Sequence, residues 1–121
     1  MRFVLDASAL LAGLNAEPGA DRVAAAVDSA VISAVNFAEV VGGVAPRGNS
    51  AEQVRAILEA LACTVVPADE EMAIDAGLMR ALTDRAGLSL GDRFCLALGR
   101  RLRAAVLTAD RQWALVADEV G

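Results

Sequence analysis

The chain of 121 residues contains no histidine, no lysine and no tyrosine, and its aromatic content is 3%. Without histidine, Ser-His-Asp and Cys-His nucleophilic mechanisms are excluded. Without lysine, Schiff-base catalysis and a phosphate-loop lysine are excluded. Cysteine is scarce too: Cys63 and Cys95 stand far apart in apolar segments. They read as small buried hydrophobes, and with no histidine and no Cys-x-x-Cys a zinc site is not expected. No apolar run approaches the ~20 residues of a membrane span. Arg2 and the short run Phe3–Leu5 do not make a secretory signal. The expected location is the cytoplasm, with no membrane partner.

What is present is 56% apolar, so the core is built mainly of Ala, Val and Leu. The length suits one domain, residues 1–121, which buries roughly two-thirds of its unfolded surface. Short apolar runs alternate with helical patterns. Strands are expected at 2–5, 30–33, 63–66 and 104–107, with a brief edge strand at Val116. Helices are expected at 9–15, 21–28, 35–44, 50–62, 69–85, 89–102 and 112–115. Ser50-x-x-Gln53 has the form of a capping box. Asp69-Glu70-Glu71 suits the start of a helix. Alternating strands and helices indicate an α/β fold with a parallel sheet covered on both faces.

The chemistry left to this composition is that of carboxylates, hydroxyls and arginine. Four acids stand out by position. Asp6 ends the first strand, Glu39 lies early in the helix after the second, and Asp110 comes just after the fourth. In open α/β sheets ligands bind outside the carboxyl ends of the strands, so these three are expected to face one crevice. Asp92 opens the helix before the fourth strand, and simple topology sends it to the opposite edge unless that helix lies obliquely. Each acid also has a local explanation. Asp6 and Asp110 can cap helices, and Asp92 can close a Ser89-x-x-Asp92 box. Glu39, flanked by apolar residues, must reach water, a partner or a metal.

Clustered carboxylates repel one another unless a cation is present, and hard oxygen ligands select Mg²⁺ or Mn²⁺. Ser8 and Thr108, two residues from Asp6 and Asp110, can support such a site or serve as local turn hydroxyls. The formal charge is −5, from 16 acids and 11 arginines. Setting the four acids aside leaves 12 acids against 11 arginines, so the acidity of the chain is largely that of the candidate site. Arg93 and Arg111 come directly after two of these acids and are candidates for a phosphate backbone. Arg100, Arg101 and Arg103 either do the same or answer a helix C-terminal dipole.

On these residues the chain resembles PIN-domain proteins, and among them the VapC-type toxins. The resemblance spans essentially the full length. It rests on Val4-Leu5-Asp6-Ala7-Ser8, Asn36-Phe37-Ala38-Glu39-Val40, Leu88-Ser89-Leu90-Gly91-Asp92 with Cys95-Leu96-Ala97-Leu98, and Leu107-Thr108-Ala109-Asp110-Arg111 with Trp113. It implies a five-stranded parallel sheet between helices, in which the Asp92 helix brings its acid to the common pocket. It further implies Mg²⁺- or Mn²⁺-dependent endoribonuclease activity on structured RNA, a homodimer, and a small antitoxin whose C-terminal segment crosses the active-site groove. Operator DNA is bound only through that antitoxin. Matched by position, Asp6, Glu39, Asp92 and Asp110 are the metal-site acids, and Ser8 and Thr108 the supporting hydroxyls. Similar proteins often carry a further acid where this chain has Gln112, which leaves one or two ions open. The alternative is a non-catalytic PIN-like binding or scaffold module. A receiver domain lacks its required lysine here, and a dehalogenase-like phosphatase would want an acid in place of Ser8.

Overall fold

A computed structural model describes residues 3–14, 30–44, 48, 50–59, 63–83 and 87–108. The helices expected at 21–28 and 112–115, the strand expected at Val116, and Asp110, Arg111 and Gln112 lie outside them. The described elements are β1 (Phe3–Leu5), α1 (Ala7–Leu14), β2 (Ala30–Ser33), α2 (Ala34–Val44), α3 (Ala51–Glu59), β3 (Thr64–Val66), α4 (Glu70–Leu78), α5 (Arg80–Thr83), α6 (Leu90–Leu102) and β4 (Ala105–Leu107). Among the described residues four strands, one fewer than the five expected, form one sheet in the order β3-β2-β1-β4, all parallel.

The central strands β1 and β2 are buried on both faces, the edge strands β3 and β4 only in part, and the side chains sort by period two. Leu5, Ala30 and Ile32 pack with Ala9, Leu10, Val40, Val44 and Val54 under α1, α2 and α3. Val4 and Val31 point the other way, onto Met72, Ala76, Met79, Phe94, Cys95 and Leu98 of α4 and α6. This is why the runs read as continuously apolar. Both cysteines are thiols; Cys95 is fully buried and Cys63 half-buried. Burial pushes the Cys63 thiol up to about 11. Among the described residues no helix is long and apolar enough to cross a membrane.

Local chemistry sets the helix starts. Ser50 and Gln53 cap each other across α3: the Ser50 amide donates to Gln53 Oε1 at 2.8 Å, and the Gln53 amide to Ser50 Oγ at 3.2 Å. Asp69 caps α4 through the Met72 amide at 2.8 Å. The single helix expected over 69–85 breaks at Met79, between α4 and α5. Gly77 precedes the break, and a Cβ there would meet nothing within 4 Å. Ala76 and Met79 remain packed in the core, and the break falls beside Gly77, whose helix propensity is low, and the exposed Leu78. Helix α1 begins two residues earlier than expected, because Asp6 itself is its cap.

The course of α6 decides where Asp92 lies. Only Arg103, in the left-handed region at φ 51°, and Ala104 separate α6 from β4. The helix folds straight back onto the strand: the Ala104 amide donates to the Gly99 carbonyl at 3.0 Å, and a Cβ on Gly99 would stand 2.6 Å from Val106. A helix that feeds a strand through so short a link runs antiparallel to it. Its thirteen residues span roughly 20 Å, which carries Leu90 to the carboxyl edge of the sheet. The expectation that Asp92 sits at the opposite edge is therefore corrected, and no oblique helix is required. At the far end of α6, Arg101 pairs with Asp69 through two contacts of 3.1 Å. Arg101 thus answers an acid of α4 at the end away from Asp92, not a phosphate track beside it.

Candidate active site

The strand sequence runs β1, β2, β3 in one direction and then returns to place β4 on the other side of β1. The reversal lies between β1 and β4, the position at which such sheets open a binding crevice. Asp6 stands there. Its amide donates to the Leu107 carbonyl at 3.2 Å, continuing the β1–β4 ladder by one step. Its side chain is 2% exposed. Oδ1 accepts from the Ala9 amide and from Ser8 Oγ, each at 2.8 Å, while Thr108 Oγ1 donates to Oδ2. The two hydroxyls lie 3.3 Å apart. Residues 8 and 108, a hundred positions apart in the chain, thus hold the same carboxylate. The cap explanation of Asp6 holds geometrically, and the cap also stands at the switch point of the sheet.

Glu39 projects from α2 as an exposed residue, as its apolar neighbours required. Its Oε1 accepts from Asn36 Nδ2 at 3.0 Å. The same amide nitrogen donates to the Gly91 carbonyl at 2.9 Å, joining the first turn of α2 to the first turn of α6. Asn36 is 1% exposed and is held in turn by Ser33, whose Oγ donates to Asn36 Oδ1 and accepts from the Asn36 amide at 3.1 Å. Sequence reasoning did not single out Ser33, Asn36 and Gly91 as functional. The available signal was the spacing Ser33-x-x-Asn36 at a strand end, which is that of an N-cap with its third helical residue.

Asp92 closes the capping box of α6. Its Oδ2 accepts from the Ser89 amide at 2.8 Å, and its own amide donates to Ser89 Oγ at 3.2 Å. Arg93 is turned back: one guanidinium nitrogen donates to the Leu88 carbonyl at 3.3 Å, and its buried Nε has no partner among the described residues.

The charge of Asp92 reaches Asp6, and those of Asp92 and Asp6 reach Glu39. The Asp6 pKa is raised chiefly by burial, against the Thr108, Ala9 and Ser8 hydrogen bonds, with the Asp92 charge adding to the rise. The Glu39 pKa is raised by burial of its carboxylate end, against the Asn36 hydrogen bond, with Asp92 and Asp6 adding. Cys95, beneath all three, is driven well up, by burial first and then by their charges, and remains a thiol. This is a donor set of hard oxygens with like charges that a divalent cation would relieve. Among the described residues no three such ligands stand close enough to enclose an ion by themselves. Asp110 and Arg111, which the same reading assigns to the site, lie outside the described residues.

The metal-free protein should depend on pH. Asp6 and Glu39 hold protons more tightly folded than unfolded, so stability is highest below their ordinary values of 3.8 and 4.5 and falls as pH rises through their folded values. Asp69, lowered by Arg101, acts oppositely but only below 3.8. Urea unfolding in chelator is expected to show a midpoint that declines as pH is raised from about 4. A saturating divalent ion should flatten the decline.

Comparison with known proteins places this geometry. A family model described as PIN domain matches residues 3–119. No curated protein sequence matches the chain. Among solved structures, the VapC20 toxin of Mycobacterium tuberculosis, which cleaves the sarcin–ricin loop, superposes with a TM-score of 0.74 at 17% identity, over 93% of this chain and 92% of that one. A chain of the promoter-DNA-bound VapBC2 complex of Rickettsia felis gives 0.73 at 16%, over 96% and 93%. A chain of the FitAB complex of Neisseria gonorrhoeae gives 0.68 at 22%, over 96% and 93%.

Proposed function

The chain belongs to the PIN-domain family and has the fold of the VapC toxins, and from that premise we propose that it is the toxin of a toxin–antitoxin pair, a Mg²⁺- or Mn²⁺-dependent endoribonuclease contained in a single domain. One observation supports this above the others. Asp6 stands at the switch point of the sheet, near enough to Asp92, and Glu39 to both, for their charges to interact, with Ser8 and Thr108 committed to Asp6. Asp110, two residues past Thr108, is the fourth acid of the set. A divalent ion, when bound, supplies charge neutralisation and an acidified water. The protein's own part is to hold Asp6 through two hydroxyls and an amide, to keep Glu39 at the solvent edge, and to fix Asp92 on the first turn of α6. Glu39 or Asp92 takes the proton of the attacking water. Arg93 and Arg111 are the proposed phosphate contacts.

The test is cleavage of cellular RNA with Mg²⁺ and with chelator. Asp92→Asn keeps the α6 cap and removes the charge; it is expected to abolish cleavage. Retention of wild-type cleavage by Asp92→Asn, or in chelator, refutes the reading and leaves the non-catalytic module.

The partners proposed with this function are a second copy of the chain, an antitoxin and RNA, with operator DNA reached through the antitoxin. Support for an antitoxin is an apolar groove of about 700 Å³, lined by Phe37, Val41, Val54, Leu58, Cys63 and Val65 between α2, α3 and the edge strand β3. It suits the apolar face of a helical segment. Support for the homodimer is the outer face of α4, where Ile74 is 55% and Leu78 74% exposed. Two such helices meeting antiparallel would set the Glu70 and Glu71 turn of one against Arg80 of the other. Leu78→Glu is therefore expected to convert dimer to monomer in light scattering at micromolar concentration, with the fold unchanged by circular dichroism.

A further inference from the structure

We propose that Asn36 is a positioning residue for Glu39, acting together with the bare Cα of Gly91. The inference rests on the metal-site reading and names what holds one of its acids in place. Glutamate on an exposed helix face has many rotamers and ordinarily points to water. Here its carboxylate end is held from two sides.

The first is the Asn36 amide. Its nitrogen faces the Glu39 carboxylate and the Gly91 carbonyl, both of which only accept hydrogen bonds. The amide can therefore be oriented in one way alone, with Nδ2 toward them and Oδ1 toward the Ser33 hydroxyl. An aspartate at 36 would set oxygen against oxygen twice. An alanine would release Glu39 and leave the Gly91 carbonyl without this donor.

The second is the space at Gly91. A Cβ there would lie 2.5 Å from Glu39 Oε1 and 2.8 Å from its carboxyl carbon. Any side chain at 91 must displace the carboxylate, which as the end of an exposed, flexible side chain can move without disturbing the fold, so the glycine leaves room for this position of Glu39. Residues 36 and 91 come from helices 55 positions apart, and they converge on the same carboxylate. Asn36 itself touches neither Asp6 nor Asp92 through any of its hydrogen bonds. Its effect on a bound ion passes through Glu39.

The experiment is calorimetric titration of the purified chain with Mn²⁺ alone, for wild type, Asn36→Ala, Glu39→Gln, the double variant and Gly91→Ala, each checked for folding by circular dichroism. Asn36→Ala is expected to weaken Mn²⁺ binding about 10-fold or more, the loss typical when a partner of a metal ligand is removed. Gly91→Ala should do the same with Asn36 intact. In the Glu39→Gln background, Asn36→Ala should add less than about 2-fold, because the interaction it serves is already gone. An undiminished second loss in the double variant means that Asn36 acts through the general structure, and overturns the proposal. So does wild-type affinity in both Asn36→Ala and Gly91→Ala, or in Glu39→Gln with wild type binding normally. Should Asn36→Ala fail to fold, Gly91→Ala and its combination with Glu39→Gln decide in the same way. Failure of wild type to bind millimolar Mn²⁺ refutes the metal-site reading itself, a result distinct from any of these.

Discussion

Replacing Asp6 by asparagine is expected to lower RNA cleavage by on the order of 10²–10⁴-fold, the range for losing a carboxylate that manages charge or protons at a reacting centre. The same change should raise the melting temperature of the metal-free protein. Asparagine caps a helix as well as aspartate does, so its oxygen can keep the Ala9 amide and the Ser8 hydroxyl. The Thr108 hydroxyl, now facing an amide nitrogen, can turn from donor to acceptor. What disappears is a buried charge whose ionisation burial opposes and the Asp92 charge opposes further. Stability given up for a charged site is a common cost of function. Wild type should gain stability with Mg²⁺ by mass action, and Asp6→Asn should gain far less. Melting curves with and without Mg²⁺, beside a gel of cleaved RNA, read all three effects. Wild-type cleavage by Asp6→Asn would remove Asp6 from the site.

Leu5→Ala is expected to do the reverse. Leu5 is fully buried beside Ala9, Leu10, Ile32 and Val40. Its truncation should cost about 2–5 kcal/mol, against a total of roughly 5–15 kcal/mol for a domain. Urea unfolding measures the loss. The strand β1 is paired on both sides, to β2 and to β4, with Leu5 opposite Leu107. The next residue, Asp6, keeps its amide bond to the Leu107 carbonyl. The weakened protein should therefore still be stabilised by Mg²⁺. The two variants separate what holds the fold from what the fold holds: one loses the ion response and gains stability, the other loses stability and keeps the response. A Leu5→Ala protein that no longer responds to Mg²⁺ would show that the site depends on packing beneath β1 and not on the ladder.

Much of the architecture was legible because it is written in short-range terms. Apolar runs at 30–33 and 104–107 read as strands between helical patterns, and among the described residues Ser50, Asp69 and Ser89 put a hydroxyl or carboxylate to use at a helix start. Ser50 and Ser89 cap where spacing placed them, and Asp69, expected only as one of three acids suiting the helix dipole, turns out to be the cap. The bounds that moved did so for local reasons: Asp6 capping α1 directly, Gly77 loosening α4 before Met79. Asp6, Ser8 and Thr108 were also legible, since a parallel sheet gathers the residues just beyond its strand ends along one edge.

The residues that were not legible depend on direction and on contacts between distant turns. Asp92 was sent to the wrong edge because its place depends on the sense of α6, which Arg103 and Ala104 turn straight into β4. Asn36 looked like an ordinary helical residue until Gly91 arrived beside it from the far half of the chain. Arg101 read as a phosphate candidate until Asp69 took it. Sequence by itself determined the element types, the chemistry left to a chain without histidine or lysine, and the acids that chemistry would use, because periodicity, capping and composition act within a few residues. Only the tertiary structure decided that Asp92 lies at the same edge as Asp6, that Asp6 is buried, and that Asn36 joins Glu39 to Gly91, because burial and hydrogen bonding between α2 and α6 exist only once the helices have closed over the sheet.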